Sequence, residues 1–269
     1  MPAATMTRSP WEQRIHRADE LAKSKSFAAE VLNFYREIAT YQKSLYTFLE
    51  ASEYASTTDP YRLPEDWDSF VLLPRFAPLL QLVEKTAPRP LAEDARALSD
   101  AGPERWKQLI SRFWHGEEHG SHADYFFALA FLQPYAEYLA RRAGPWANYI
   151  HAVCPFCSRK PMLGILRPEG DGGKRSLLCS LCLTEWEYRR VVCPACDEKN
   201  LEQLPIFTAS DVGHIRVDAC DTCKTYIKTV DLTKDGRANP LVDELAAIPL
   251  SLWAEEKGYS KLHPNLLQT

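Results

Sequence analysis

Cys154-Pro155-Phe156-Cys157, Cys179-Ser180-Leu181-Cys182, Cys193-Pro194-Ala195-Cys196 and Cys220-Asp221-Thr222-Cys223 decide how this chain folds. They hold all eight cysteines of the 269 residues, with 21, 10 and 23 residues between successive pairs. The first and third pairs both read Cys-Pro-x-Cys and stand 39 positions apart; the second and fourth stand 41 apart. One module is therefore repeated. A repeat favours sequential pairing, with Cys154, Cys157, Cys179 and Cys182 around one ion and Cys193, Cys196, Cys220 and Cys223 around another. An interleaved cross-brace is the alternative.

The spacing has a chemical reason. Two thiolates separated by two residues reach one ion if the chain makes a tight knuckle, whose backbone N–H groups point at the sulfurs. Two knuckles facing each other across a hairpin complete a tetrahedron of soft ligands, which suits zinc or iron. A module of this size has a small core, and the ion supplies the missing stability. Four thiolates close the coordination sphere, so the centres read as structural or electron-transferring, with no catalytic residue among them. A thioredoxin-like redox pair would need its cysteines at a helix start in a βαβ unit, which these surroundings do not offer. Iron knuckles of the rubredoxin type often carry Gly after the second cysteine; here Ser158, Leu183, Asp197 and Lys224 stand there.

Outward from the cysteines, the chain changes texture near residue 150. Upstream it reads as helical. Val31, Phe34, Ile38, Tyr41, Leu45 and Phe48 recur three or four apart, one face of a long helix beginning near Phe27. Prolines between Pro60 and Pro90 punctuate shorter helices, and Pro103 opens another through Trp106, Leu109, Ile110 and Phe113. Tyr125 to Arg142 is apolar almost all round at first and reads as a central helix, stopped by Gly144-Pro145. Downstream, Met162 to Leu166, Trp186 to Val192, His214 to Val217 and Tyr226 to Leu232 read as strands. Leu241 to Ile248 and Ser251 to Lys257 suggest closing helices. The fold class is α+β: an all-helical domain over 1–150, ribbon modules over 151–190 and 191–232, and a short helical tail over 233–269.

Charge and hydropathy narrow the function. The net charge is −4, and residues 151–232 carry 11 Lys+Arg against 11 Asp+Glu. Phosphate binding calls for a basic excess, so no nucleic-acid partner is expected despite Arg189-Arg190. No apolar run approaches the roughly 18 residues of a membrane span, and Met1 to Gln13 has no apolar signal core, which implies a cytoplasmic address. Clustered cysteines in a reducing compartment point to metal rather than disulfides. His115, His119 and His122 would share a helical face, but Gly116 and Gly120 argue for a polar loop.

The runs CPFCSRKPMLGIL, LLCSLCLTEWEYRRVVCPAC and DACDTCKTYIK resemble the formate dehydrogenase accessory protein (FdhE) family. The resemblance covers about 155–260, and its most specific string is Cys-Ser-Leu-Cys-x-Thr-Glu-Trp. Thr184, Glu185 and Trp186 match the motif after the second knuckle, and Tyr226 and Lys228 that after the fourth. Glu187 stands where the family commonly has His, and His263-Pro264-Asn265-Leu266 where its tail tends to read Asn-Pro-Phe. The resemblance implies a cytoplasmic, non-enzymatic protein needed to obtain active formate dehydrogenase. It further implies contact with the catalytic subunit and rubredoxin-like iron on the eight cysteines; zinc remains the other candidate. Trp186 and Tyr226 are then either interface anchors or fillers of the ribbon cores. Nothing in the pattern opposes a homo-oligomer.

Overall fold

The computed structural model describes residues 9–52, 54, 61–117, 120–143, 146, 148–170 and 172–268. Helices α1 (Pro10–Ser24), α2 (Ala29–Ala51), α3 (Ser69–Leu72), α4 (Phe76–Thr86), α5 (Arg89–Trp114) and α6 (His122–Arg142) come first. Strands β1 (Pro161–Glu169), β2 (Gly172–Cys179), β3 (Glu185–Glu187), β4 (Ile206–Thr208), β5 (Ile215–Cys220) and β6 (Thr225–Asp231) follow. Helices α7 (Pro240–Ala246) and α8 (Ile248–Glu256) and the short strand β7 (Ser260–Lys261) end the chain. A helical region thus precedes a β region that carries both cysteine sets, the α+β order implied by the sequence. Among the described residues no helix is long and apolar enough to cross a membrane.

Local chemistry sets the helix ends. Ser9 and Glu12 form a reciprocal capping box before Pro10, and Ser121 caps α6 by accepting from the Asp124 N–H. The expected stripe runs along α2, but the buried face is broader and rotated. Leu32, Tyr35, Ala39, Gln42, Tyr46 and Leu49 are buried, while Val31, Tyr41 and Phe48 are only half-covered. The reason is that α1, α4 and α6 all pack on α2. Gly102, with φ 77° and ψ −179°, breaks α5, and Pro103 restarts it where the sequence implies. The half of α5 before Gly102 was not evident from the pattern; only Ala95 and Leu98 are buried there. Helix α6 is buried from Tyr125 to Ala140 and is the centre of the helical region.

The strands form one sheet in the order β3-β2-β1-β6-β5-β4, with β7 beside β6. Neighbours within each ribbon are antiparallel, whereas β1 and β6 are parallel, Leu163 to Leu166 lying opposite Lys228 to Asp231. At that seam Gly164 faces Thr229, and a Cβ on residue 164 would run into the Thr229 hydroxyl. The strand expected over Trp186 to Val192 is only Glu185–Glu187. Beyond it the buried guanidinium of Arg175 donates to the carbonyls of Arg189 (3.2 Å), Arg190 (3.4 Å) and Val192 (3.1 Å), so those carbonyls serve a side chain and not a ladder.

One apolar core runs from the helices into the first ribbon, taking in Phe156, Leu177, Leu181 and Trp186. A second core, of Ile215, Val217, Tyr226 and Val230 with Leu250 and Ala254, lies between the second ribbon and α8. Helix α7 ties the parts together. Asp243 takes two hydrogen bonds from Arg17 of α1 (2.9 and 2.6 Å) and lies 2.8 Å from His214 Nε2. Glu244 pairs with Lys228 (2.8 Å) and Lys261 (2.6 Å) and accepts from Asn265 (2.6 Å).

Candidate metal centres

The first cysteine pair of each module sits in a knuckle built by the same backbone bonds. Ser158 N–H donates to the Cys154 carbonyl (2.9 Å) and Cys154 N–H to the Arg159 carbonyl (2.9 Å). The second module repeats this with Asp197 to Cys193 (3.0 Å) and Cys193 to Glu198 (2.9 Å). The residue after the second cysteine of every knuckle has positive φ: Ser158 60°, Leu183 55°, Asp197 60° and Lys224 54°. These are the four positions where rubredoxin-type knuckles favour Gly. The chain makes the left-handed turn with ordinary residues, each at a local cost of order 1 kcal/mol. Within the knuckles N–H groups point at sulfur: Leu181 N lies 3.4 Å from Cys179 Sγ, and Ala195 N 3.4 Å from Cys193 Sγ.

The sulfurs converge in sequential sets. Cys154, Cys157, Cys179 and Cys182 gather in one group and Cys193, Cys196, Cys220 and Cys223 in another, with ligand atoms within 4.8 Å of one another in each. In the first, Sγ–Sγ distances are 3.4 Å (Cys154–Cys182), 3.3 Å (Cys157–Cys179) and 3.5 Å (Cys157–Cys182). In the second, Cys193–Cys223 is 3.8 Å and Cys196–Cys220 3.7 Å. None of the eight is in a disulfide. Disulfide sulfurs would stand about 2.05 Å apart. A tetrahedron with metal–sulfur bonds of about 2.3 Å has edges of about 3.8 Å, so the donor set fits an ion of the zinc or iron kind.

Electrostatics point the same way. Burial pushes the Cys179 and Cys182 thiols up. Burial also opposes ionisation of Cys154, but hydrogen bonds from Cys157, Cys179 and Cys182 outweigh it and hold Cys154 far below the usual thiol range. In the second set burial raises Cys193 and Cys196. At Cys223 it is outweighed by hydrogen bonds from Thr225 and Cys196, leaving that thiol at about 7. Protons are shared unevenly because thiolates this close repel one another. A cation at the centre is what would let all four ionise.

The flanking residues of the motif serve the fold. The Thr184 hydroxyl lies 3.1 Å from Cys182 Sγ, and Glu185 is clamped by Arg167 (2.8 and 2.7 Å) and Ser176 (2.6 Å). Trp186 is buried, donating its indole N–H to the His151 carbonyl (3.0 Å), and Tyr226 and Lys228 are fully buried. Their place in the core sets aside an anchoring role at an open interface. Lys228 and its partner Glu244 form a buried pair that residue spacing could not signal. His115 contacts Asp66 (3.0 Å) in a turn after α5, His122 opens α6, and His119 lies outside the described residues. Among the described residues, only the two cysteine sets bring three or more such side chains close enough to hold an ion.

Fold and sites together define a class: a helical platform carrying tandem tetracysteine ribbons suited to metal binding. Residues 153–190 match the family model described as FdhE, central domain, and residues 191–268 that described as FdhE, C-terminal domain. The Protein FdhE homolog of Aquifex aeolicus is 30% identical over 258 residues, 88% of each chain. The Protein FdhE homolog of Pseudomonas aeruginosa is 38% identical over 120 residues, 43% of this chain and 39% of that one. The crystal structure of the FdhE protein from Pseudomonas aeruginosa superposes with a TM-score of 0.71 over 97% of both chains at 23% identity, a likeness of fold. This chain belongs to the FdhE family.

Proposed function

We propose that this protein is a non-catalytic accessory factor for the assembly or quality control of formate dehydrogenase, acting in the cytoplasm and binding the enzyme's catalytic subunit. Each cysteine set holds one mononuclear ion, iron or zinc. The helical region, the two ribbons and the tail are its functional segments. The observation that carries this reading is a pair of closed tetracysteine sets in a chain that aligns with an FdhE homolog along most of its length. When bound, the ion neutralises four thiolates and crosslinks the two knuckles of a module. Four sulfurs leave no position for a substrate, which favours a binding role. With Trp186, Tyr226 and Lys228 buried, the contact surface has to be formed by other, exposed residues.

The test is capture of a formate dehydrogenase catalytic subunit by the immobilised, metal-loaded chain. Retention by the wild type and loss in Cys154→Ser/Cys179→Ser and in Cys193→Ser/Cys220→Ser support the proposal. No retention by the wild type overturns it. Wild-type capture by a variant whose ribbon is shown to be unfolded moves the contact to the helices and overturns the role of the ribbons.

A further inference from the structure

We infer that the two centres are unequal: the second is an exchangeable metal site open to small chelating or thiophilic ligands, while the first is locked by the helices. The inference rests on the reading that each set holds an ion. The difference lies in the residues between the cysteines. Phe156 and Leu181 fill those positions in the first module and are 4% and 1% exposed. Ala195 and Thr222 take the equivalent places in the second, and both are exposed.

The first centre is held from outside its own module. Leu63 N–H donates to the Phe156 carbonyl (3.2 Å) and Gln133 Nε2 to the Ser180 carbonyl (3.2 Å). Arg159, beside the first knuckle, donates to the carbonyls of Phe113 and Trp114 at the end of α5. Cys154, Cys179 and Cys182 are buried and Cys157 half-buried. The second centre is tied only at its rim, by Arg189 to Asp197 (3.1 Å), Thr222 to Glu198 (2.7 Å), the Tyr259 hydroxyl to Asp221 (2.9 Å) and the Ser260 N–H to the Lys224 carbonyl (2.8 Å), and Ala195 and Thr222 stay exposed. Cys196 is exposed and Cys223 half-buried.

Exchange is ligand substitution: a chelator takes the ion as thiolates leave it, and each freed thiolate takes a proton from water at neutral pH. No electron moves. Solvent reaches Cys196 directly, whereas in the first set only Cys157 is partly open and Cys154, Cys179 and Cys182 are reached only after Phe156 and Leu181 leave the helices. Loss of the second ion would loosen residues 193–204, of which only Cys193 is buried, while β5 and β6 stay packed on α8. The second centre would thus convert metal supply into a local change of order.

The full-length chain, zinc-loaded, is challenged with a pyridylazo resorcinol chelator, quenched with N-ethylmaleimide and mapped by peptide mass. One equivalent should leave about tenfold or more faster than the other, the gap expected between an open site and one that needs local unfolding. Label should appear on Cys193, Cys196, Cys220 and Cys223 while Cys154, Cys179 and Cys182 stay unmodified. A single rate for both ions, or earlier label in the first set, overturns the inference. Phe156→Ala/Leu181→Thr should speed release from the first set toward that of the second; an unchanged first-set rate also overturns it. A chain that starts with fewer than two ions sinks the two-ion reading itself, and this inference with it.

Discussion

Gln133 Nε2 donates to the carbonyl oxygen of Ser180 at 3.2 Å, joining the central helix to the tip of the second knuckle. The Gln133 amide oxygen in turn accepts from Gln42 Nε2 at 3.3 Å, and Gln42 also donates to the Ala130 carbonyl at 3.0 Å. Three elements therefore share one buried polar relay. Gln133→Leu keeps the volume and strands the Ser180 carbonyl and one Gln42 donor. It should cost about 1–3 kcal/mol, the usual penalty for unsatisfied buried groups. Urea unfolding of the metal-loaded protein measures it; a loss under about 0.5 kcal/mol would mean the relay does not hold the knuckle.

Pairing within the centres can be counted. Cys154→Ser/Cys179→Ser removes two ligands of one set, and the protein should retain one ion. Cys154→Ser/Cys193→Ser damages both sets, and both ions should be lost. Elemental analysis of the two proteins gives the answer, and the reverse outcome would establish interleaved ligation.

The left-handed turns predict a substitution pattern at Ser158, which is exposed and has φ 60°. Ser158→Gly should leave stability within about 0.5 kcal/mol, relief of strain being offset by a more flexible unfolded chain. Ser158→Val puts a β-branched side chain at positive φ and should cost about 1–3 kcal/mol. Thermal melts of metal-loaded protein compare them; equal effects would contradict a left-handed residue there.

Glu244 predicts a pH dependence. Burial opposes its ionisation, but the charges of Lys228 and Lys261 more than reverse this and hold its carboxyl at about 2, below the ordinary 4.5. A depressed carboxyl stabilises the fold above the unfolded value, and that contribution disappears as pH falls through 4.5 toward 2. Glu244→Gln leaves Lys228 buried beside a neutral amide and should cost about 3–5 kcal/mol near neutral pH. The gap between wild type and variant should narrow as the pH is lowered below 4.5. Denaturant titrations at several pH values test this, and a gap that widens in acid would refute it.

Gly164 is required by the seam. Gly164→Ala should cost about 1–3 kcal/mol because β1 and Thr229 have to move apart. Pairing it with Thr229→Ala should restore most of the loss. If the double variant is no better than the single one, the clash at residue 164 is not with that hydroxyl.

Both cysteine sets and the helical character of the first half were legible because they rest on short-range rules: two residues between ligands, and apolar side chains three or four apart. Strand β2 was not. Lys174 and Arg175 break its apolar pattern, yet Arg175 is 4% exposed because its charge meets backbone carbonyls and Asp218. The early half of α5 was hidden by Pro88 and Pro90 and by its few buried residues. The burial of Phe156 and Leu181 under the helices was equally out of reach, since it depends on how distant segments dock. The letters themselves still held a clue: Phe against Ala and Leu against Thr at equivalent places in the repeat.

The parallel seam between β1 and β6 makes the two ribbons a translated pair, unlike the halves of a twofold dimer. Strands β2 and β5 each end on the third cysteine of their module, so β3 corresponds to β6 and β1 to β4. The outer strands β3 and β4 are therefore counterparts of the two that already join, and a third ribbon could in principle add at either end. Such head-to-tail addition has no natural closure and leads to filaments. Each outer strand is only three residues long, and β3 carries Glu185 and Glu187. Truncation and charge are common safeguards against edge-to-edge growth. In this sheet they act as terminators, holding a self-propagating geometry at two copies.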